Sequence, residues 1–236
     1  MPKKIEADSS YQGSLTLSYG LWYERLHSIR VAIYGAFKRG LDFALASVFL
    51  ILLSPLFLVV AAIIKIDSPG PVFFRQKRTG KNGREFEIMK FRSMTADNDI
   101  RDNSCADKYT RVGGVLRRTS IDELPQLINV ALGQMAFIGP RPWIPEYYER
   151  MNERERGRVK VLPGITGLAQ AKGRNGLTIF QKIDYDLEYV RNYSLRQDIK
   201  VVLLTVKMVL AQSGADAGKA AVHNDLNDLA RRNEGV

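Results

Sequence analysis

The 236-residue sequence has one cysteine, Cys105, and two histidines, His27 and His223, far apart in the chain. One cysteine excludes an intramolecular disulfide and a cysteine zinc cluster, and two distant histidines leave little for a histidine metal site or a histidine-centred hydrolase triad. Acidic residues are also short, 25 against 35 Lys and Arg, for a net charge of +10. That excess calls for an anionic partner: nucleic acid, a phospholipid surface or a phosphorylated small molecule. No internal repeat is evident. With 45% apolar and 25% charged residues, the chain has enough apolar side chains to build a core, so wholesale disorder is excluded.

One long hydrophobic run is present. From Phe43 to Ile64 there are 22 residues without a charge, bounded by Asp42 and Lys65. As a helix they would reach about 33 Å, the thickness of a bilayer's hydrocarbon core. The run starts too far into the chain and is too long for the apolar region of a signal peptide. Ser54-Pro55 lies at its centre, where proline removes a backbone donor and a bend is expected. Both flanks are basic, with Arg25, Arg30, Lys38 and Arg39 before and Lys65, Arg75, Lys77, Arg78 and Lys81 after. A straight crossing cannot keep both flanks on the cytoplasmic side, whereas a hairpin that enters, breaks at Ser54-Pro55 and returns can. The alternative is a single span with a tolerated proline kink.

Around this run, residues 1–19 are polar and read as frayed, and 20–37 read as an amphipathic helix at headgroup level or on the protein's own core. Asp67 to Pro71 is a loop signal. Val72–Gln76 and Glu85–Phe91, joined by a glycine-containing turn, predict a β-hairpin. A loop is expected over 97–110, helices over 121–132, 144–160, 177–193 and 196–212, and a small polar tail from Ser213. The fold class is therefore α+β and membrane-associated: an N-terminal extension (1–41), a re-entrant helix-break-helix hairpin (42–66), a cytoplasmic catalytic unit (67–212) with a small β-hairpin and interfacial amphipathic helices, and a flexible tail (213–236).

Two segments carry candidate chemistry. In Arg117-Arg118-Thr119-Ser120-Ile121-Asp122-Glu123-Leu124-Pro125-Gln126, Ser120 and Glu123 have capping-box spacing, and a capped, solvated helix end would explain both. A helix starting nearer Asp122 would instead put Pro125 in its first turn, leaving two carboxylates at a helix start behind two arginines. Such a site suits a divalent cation and a phosphate together. In Ile138-Gly139-Pro140-Arg141-Pro142, two prolines stiffen the backbone that presents Arg141, which favours bidentate phosphate binding; a solvent-facing arginine is the plainer alternative.

With these segments the chain resembles the bacterial sugar transferases, the monotopic polyprenol-phosphate phosphoglycosyl transferases. The likeness covers about residues 37–210. It rests on Lys38-Arg39 and Asp42, Ser54-Pro55, Asp67-Ser68-Pro69-Gly70-Pro71-Val72-Phe73-Phe74, Lys90-Phe91-Arg92-Ser93-Met94, Thr119 to Gln126, Phe137 to Pro142 and Pro163-Gly164-Ile165-Thr166-Gly167-Leu168-Ala169-Gln170. It implies an inner-membrane, monotopic enzyme with its catalytic unit on the cytoplasmic face, a short form without the four-helix membrane region of longer members. Such an enzyme transfers a sugar 1-phosphate from a UDP-sugar to undecaprenyl phosphate and releases UMP, the first membrane step of a bacterial glycoconjugate pathway such as capsule or exopolysaccharide assembly. Asp122 would be the nucleophile, through a phosphosugar-aspartate intermediate, and Glu123 would help hold Mg²⁺. Arg117, Arg141 and Lys90 would bind substrate phosphate; Arg174 and Asn175 match a segment near the nucleotide or sugar, with a plain glycine turn as the alternative. Asp186 matches a common family acid, with a helix-surface charge as the alternative. The competing readings are a membrane-anchored, non-catalytic scaffold with a basic lipid-facing surface, and a nucleic-acid binder, which no motif supports. The sugar and a homodimer are left open.

Overall fold

The computed structural model describes residues 9–95, 109–173 and 176–212 and Leu229. The chain divides into two compact units, Met1–Lys38 and Arg39–Val236.

The first element, α1, is a helix over Ser9–Asp67. It begins well inside the stretch expected to be frayed, and it contains the predicted 20–37 helix without interruption. It also runs through Ser54-Pro55, so the expected helix-break-helix is not seen as two helices. The cause is local. Pro55 cannot donate to the carbonyl four residues back, that of Ile51, and the Ser54 hydroxyl donates to that carbonyl at 2.8 Å, so the orphaned acceptor is satisfied within the helix.

Most of the apolar run stays uncovered: Phe43, Val48, Ile51, Leu52, Leu58, Val59 and Ile63 are exposed. Its two ends are nonetheless tied to the rest of the Arg39–Val236 unit. At the front, Arg39 donates to the carbonyls of Val130 and Ala131, both at 2.9 Å. At the back, Val60 and Ile64 pack with Phe91 and Leu116, and each such buried side chain contributes about 1.5–3 kcal/mol. Asp67 accepts from the amide of Val112 at 3.2 Å. Arg92 donates to the Ser68 and Pro69 carbonyls at 2.7 and 2.6 Å, so this arginine of the Lys-Phe-Arg segment closes the end of α1. Gly70, with φ +122°, sits directly beneath the Arg92 guanidinium, in space that a side chain would need.

The predicted hairpin is present as β1 (Phe73–Thr79) and β2 (Glu85–Phe91), antiparallel, with Arg75 opposite Met89 and Lys77 opposite Glu87. After a short helix α2 (Gly113–Arg118), a 3₁₀ turn covers Ile121–Glu123, and the helix α3 begins only at Gln126 and ends at Ala131. The helix expected from Ile121 is therefore displaced: Pro125 is the residue that precedes α3, where its missing donor costs nothing. Gly133, at φ +79°, ends the segment as expected.

Strands β3 (Ala136–Ile138) and β4 (Gly164–Thr166) form a short parallel pair. Two glycine motifs meet here for a steric reason. A Cβ on Gly139 would overlap the Leu162 carbonyl, one on Gly164 the Gly139 amide, and one on Gly167 the Gly139 carbonyl. Bonds from Gly139 N to Thr166 O (2.9 Å) and Gly164 N to Pro140 O (3.0 Å) close the contact.

The single surface helix expected over 144–160 is instead α4 (Pro145–Glu149), α5 (Glu153–Arg156) and a 3₁₀ turn (Gly157–Lys160). Asn152 restarts the chain as the cap of α5, in a reciprocal capping box with Glu155. Glu155 and Arg158 are buried, not surface charges. The short α6 (Leu168–Gly173) leads to α7 (Ile179–Arg191), capped by Thr178, and α8 (Leu195–Gln212), close to the predicted bounds. One side of α8 is core, with Val201 fully buried, while Ile199, Val202, Leu203, Val206, Val209 and Leu210 form an exposed apolar stripe. Leu229 is buried with Met151, Ile179, Ile183 and Leu187; the rest of the tail after Gln212 lies outside the described residues, as does most of the expected 97–110 loop.

Candidate active site

The dyad Asp122-Glu123 sits in the 3₁₀ turn between α2 and α3. Ser120 does not cap a helix: its side chain makes no cap bond, and its backbone is left-handed at φ 57°, ψ 17°. For a non-glycine residue that conformation is uncommon, and it redirects the chain so that both carboxylates follow at once. Behind the turn, Asn129 of α3 is fully buried. It accepts from the Met89 amide at 3.0 Å and donates to the Glu87 carbonyl at 2.7 Å. This side chain fixes α3 to β2 and so brings Lys90 to the dyad.

Glu123 takes two cations on one oxygen. Lys90 Nζ donates to Oε1 at 2.6 Å and Arg141 Nη2 to the same atom at 2.8 Å. Burial works to raise the Glu123 carboxyl, but Arg141 and Lys90 outweigh it and hold the group well below the usual carboxylate range. Its other oxygen, Oε2, accepts nothing among the described residues. Asp122 has the opposite character. It is buried and accepts no hydrogen bond among the described residues. Burial pushes its carboxyl above the ordinary value against the pull of Lys90, and the neighbouring Glu123 adds to the rise. One carboxylate is thus committed and ionised, and its neighbour is uncommitted.

Arg141 is held as the sequence suggests, and by more than its prolines. Its carbonyl accepts from Arg158 Nη2 at 2.7 Å. Arg158 in turn donates through Nε and Nη2 to Asp186 Oδ2 at 3.0 and 2.6 Å, and its guanidinium lies 3.9 Å from the centre of the Trp143 ring. Asp186 is therefore a buried partner and not a helix-surface charge. On the other side, Arg78 donates to the Pro142 carbonyl at 3.3 Å and Thr79 N to the Trp143 carbonyl at 2.8 Å.

Part of this network borders a cavity of about 530 Å³, whose lining includes Arg78, Glu123, Arg141, Trp143, Gln170, Lys182 and Asp186. Burial, with Arg141 beside it, lowers the Arg78 guanidinium to about 10, so it remains a cation at neutral pH. Asp122, Lys90 and Arg117 are not among the lining residues. Arg117 donates to Ser93 Oγ at 3.1 Å and to the Tyr109 hydroxyl at 2.9 Å and stacks on the Tyr109 ring, although it is near enough to Asp122 to favour its charged form. Arg174 and Asn175 lie outside the described residues.

Arg78, Trp143, Gln170 and Lys182 escaped sequence reasoning. For Arg78 a signal existed. In β1, Arg75 and Lys77 point outward and pair with Glu87 and Glu85, so period-two alternation sends Gln76 and Arg78 to the other face. For the other three only the tertiary fold decides.

The ion-paired Glu123, at a cavity carrying Arg78, Arg141 and Lys182, with the buried Asp122 next to it in the chain, makes a cation-rich candidate site on a mixed α/β protein with one long apolar helix. The family described as bacterial sugar transferase matches residues 33–212, and the chain belongs to it. It is 45% identical over 182 residues to a UDP-glucose:undecaprenyl-phosphate glucose-1-phosphate transferase of Klebsiella pneumoniae, covering 72% of this chain and 39% of that protein. A protein of the same name from Caulobacter vibrioides is 42% identical over 190 residues, 75% of this chain and 71% of the relative. The exopolysaccharide production protein ExoY of Rhizobium meliloti is 37% identical over 202 residues, 78% and 89% of the two chains. The chain thus spans about two fifths of the length of its Klebsiella relative.

Proposed function

We propose that this protein transfers a sugar 1-phosphate from a UDP-sugar to undecaprenyl phosphate, with Asp122 as nucleophile. The observation that carries the reading is the contrast within the dyad: Glu123 bound to Lys90 and Arg141, Asp122 buried beside it and unengaged. An Asp122 oxygen attacks the sugar-proximal phosphorus, the bond to the UMP oxygen breaks, and UMP leaves with that electron pair. An oxygen of undecaprenyl phosphate then attacks the same phosphorus, the acyl-phosphate bond breaks, and the Asp122 carboxylate is restored. Arg141 and Arg78 offset charge on the phosphate oxygens, and Lys90 keeps Glu123 ionised and placed. The relatives' names make UDP-glucose the first donor to test, and exopolysaccharide assembly the first pathway.

Mg²⁺ fits this donor set. No cluster of three or more His, Cys, Asp or Glu is present among the described residues, but magnesium is commonly held by one or two carboxylates together with substrate phosphates. Glu123, through Oε2, and Asp122 are the residues that would hold it. When bound it would neutralise diphosphate charge.

The same reading takes the apolar run as a re-entrant hairpin bent at Ser54-Pro55, with the catalytic unit on the cytoplasmic face. Its support is that Arg39 before the run and Asp67 to Pro69 after it are all bonded within one unit, so both ends belong on one side of the bilayer. The exposed stripe of α8, flanked by Arg196, Lys200 and Lys207, suits the headgroup layer.

Incubating the protein with sugar-labelled UDP-glucose in single turnover tests the mechanism. Label should be trapped on the wild-type protein and not on Asp122→Asn. Transfer without any trapped adduct would instead favour direct attack by the lipid phosphate.

A further inference from the structure

Two threonines share the cavity wall, Thr166 at the end of β4 and Thr205 of α8. Both are half-buried. Their hydroxyl oxygens lie 3.1 Å apart, and Thr205 Oγ1 is also 2.8 Å from the Val201 carbonyl one turn back in α8. A hydroxyl has one hydrogen and two lone pairs. The Val201 carbonyl can only accept, so Thr205 gives its hydrogen there, in the back-bond that helical threonines commonly make. Thr166 is then the donor in the bond between the two hydroxyls. The chain from Thr166 through Thr205 to Val201 runs in one direction and spends both hydrogens inside the wall. Thr166 Oγ1 is left with lone pairs, and it accepts nothing among the described residues. Elsewhere on the wall Arg78, Arg141 and Lys182 offer only donors, while the acceptors Glu123 and Asp186 are each engaged by an arginine. The dyad chemistry uses neither threonine.

We propose that Thr166 Oγ1 accepts a hydroxyl group of the UDP-sugar and that Thr205 is the positioning residue that keeps it an acceptor. This rests on the reading above, in which a UDP-sugar enters this cavity. With its hydrogen spent, Thr166 has nothing to give a phosphate oxygen, which only accepts, so the diphosphate falls to Arg78 and Arg141. A sugar hydroxyl has a hydrogen that needs an acceptor, and Thr166 supplies one. The hexose and the ribose of a UDP-sugar both carry such hydroxyls, and the test separates them. Thr205 acts through Thr166: by taking the Thr166 hydrogen it sets the polarity of the atom that meets the ligand.

The full-length protein in lipid nanodiscs is assayed for UMP release with undecaprenyl phosphate and for donor binding by calorimetry. The probes are UDP-glucose and its analogues with one hydroxyl replaced by fluorine, at each hexose position and at the 2′ and 3′ positions of the ribose. Fluorine is close to a hydroxyl in size and donates nothing. For the wild type, one analogue should lose about 10-fold in kcat/KM, the loss expected for one neutral hydrogen bond left unmade. The position of that fluorine tells hexose from ribose. Thr166→Val should lose a similar factor on UDP-glucose and treat that analogue and the parent alike, and Thr166→Ser should restore the difference. Thr205→Val releases the Thr166 hydrogen, so the penalty on the fluorinated analogue should shrink, which a merely structural role for Thr205 would not produce. Equal rates across the whole panel for the wild type overturn the proposal, with no variant needed. So does a penalty that persists in Thr166→Val. Discrimination in binding that Thr166→Val abolishes, without transfer from any UDP-sugar, would uphold the hydroxyl site and refute the transferase reading instead.

Discussion

Removing Asp186 should damage the protein in two separable ways. Arg158 and Asp186 have side chains only 2% and 3% exposed, and two of the Arg158 donors converge on one Asp186 oxygen. Asp186→Ala leaves a guanidinium buried with the Trp143 face and the Arg141 carbonyl but no counter-charge. Breaking a buried pair from one side costs about 3–5 kcal/mol. For a domain of this size that lowers Tm by roughly 6–20 °C. Replacing both members with apolar residues of similar volume, Arg158→Met with Asp186→Leu, should recover most of that loss, because buried ion pairs are often no better than well-packed hydrophobic ones.

Transfer activity should not recover. Arg158 Nη2 is the donor to the Arg141 carbonyl, and the double variant lacks it, so the loop that aims Arg141 at Glu123 loses an anchor. A misplacement of about 1 Å at a phosphate-positioning group is enough to lower the rate about 100-fold. Melting of the protein in nanodiscs, read beside kcat and KM for UMP release, separates the effects: Asp186→Ala low in both, the double variant near wild type in Tm and low in kcat. A double variant with wild-type kcat would refute the positioning role of Arg158. An Asp186→Ala protein that melts like wild type would refute the buried pair itself.

In the protein without Mg²⁺, the Asp122 carboxyl should titrate above the ordinary aspartate range, since burial raises it; Lys90→Met removes the largest opposing influence, so NMR titration of that carboxyl in EDTA should show its midpoint moving further up, and a downward shift would refute the part given to Lys90. Gly164→Ala should cost several kcal/mol, because its methyl would overlap the Gly139 amide; a folded, active variant by melting and UMP release would count against the close β3–β4 contact. Ser54→Ala leaves the Ile51 carbonyl without its 2.8 Å donor, at a cost of about 1–3 kcal/mol, and should lower yield in membranes; an effect on kcat alone would be inconsistent with a structural role. Cysteines placed before Lys38 and after Asp67 should both resist an impermeant thiol reagent in intact cells, and labelling of one end alone would contradict the hairpin.

What could be read from sequence divides along the range of the interactions involved. The hairpin β1–β2 and helices α7 and α8 follow from alternation and helical spacing, which are local, and they appear close to their predicted bounds. The 144–160 segment failed for a reason also visible locally: Asn152 and Glu155 have the spacing of a cap, and a cap in mid-segment ends one helix and begins another. The dyad could be found because two adjacent carboxylates beside arginines are unusual, but their difference in character could not. That difference arises because Lys90 comes from β2 and Arg141 from the loop after β3, and both converge on Glu123 and not on Asp122. The same logic sorts the arginines of the motifs. Arg92 and Arg141 look alike in sequence, each beside conspicuous neighbours, yet Arg92 is spent on the Ser68 and Pro69 carbonyls and Arg141 on a carboxylate at the cavity. An arginine surrounded by backbone acceptors holds the fold, and one facing a carboxylate at an open cavity is available to an incoming phosphate. Only the tertiary structure supplies those surroundings.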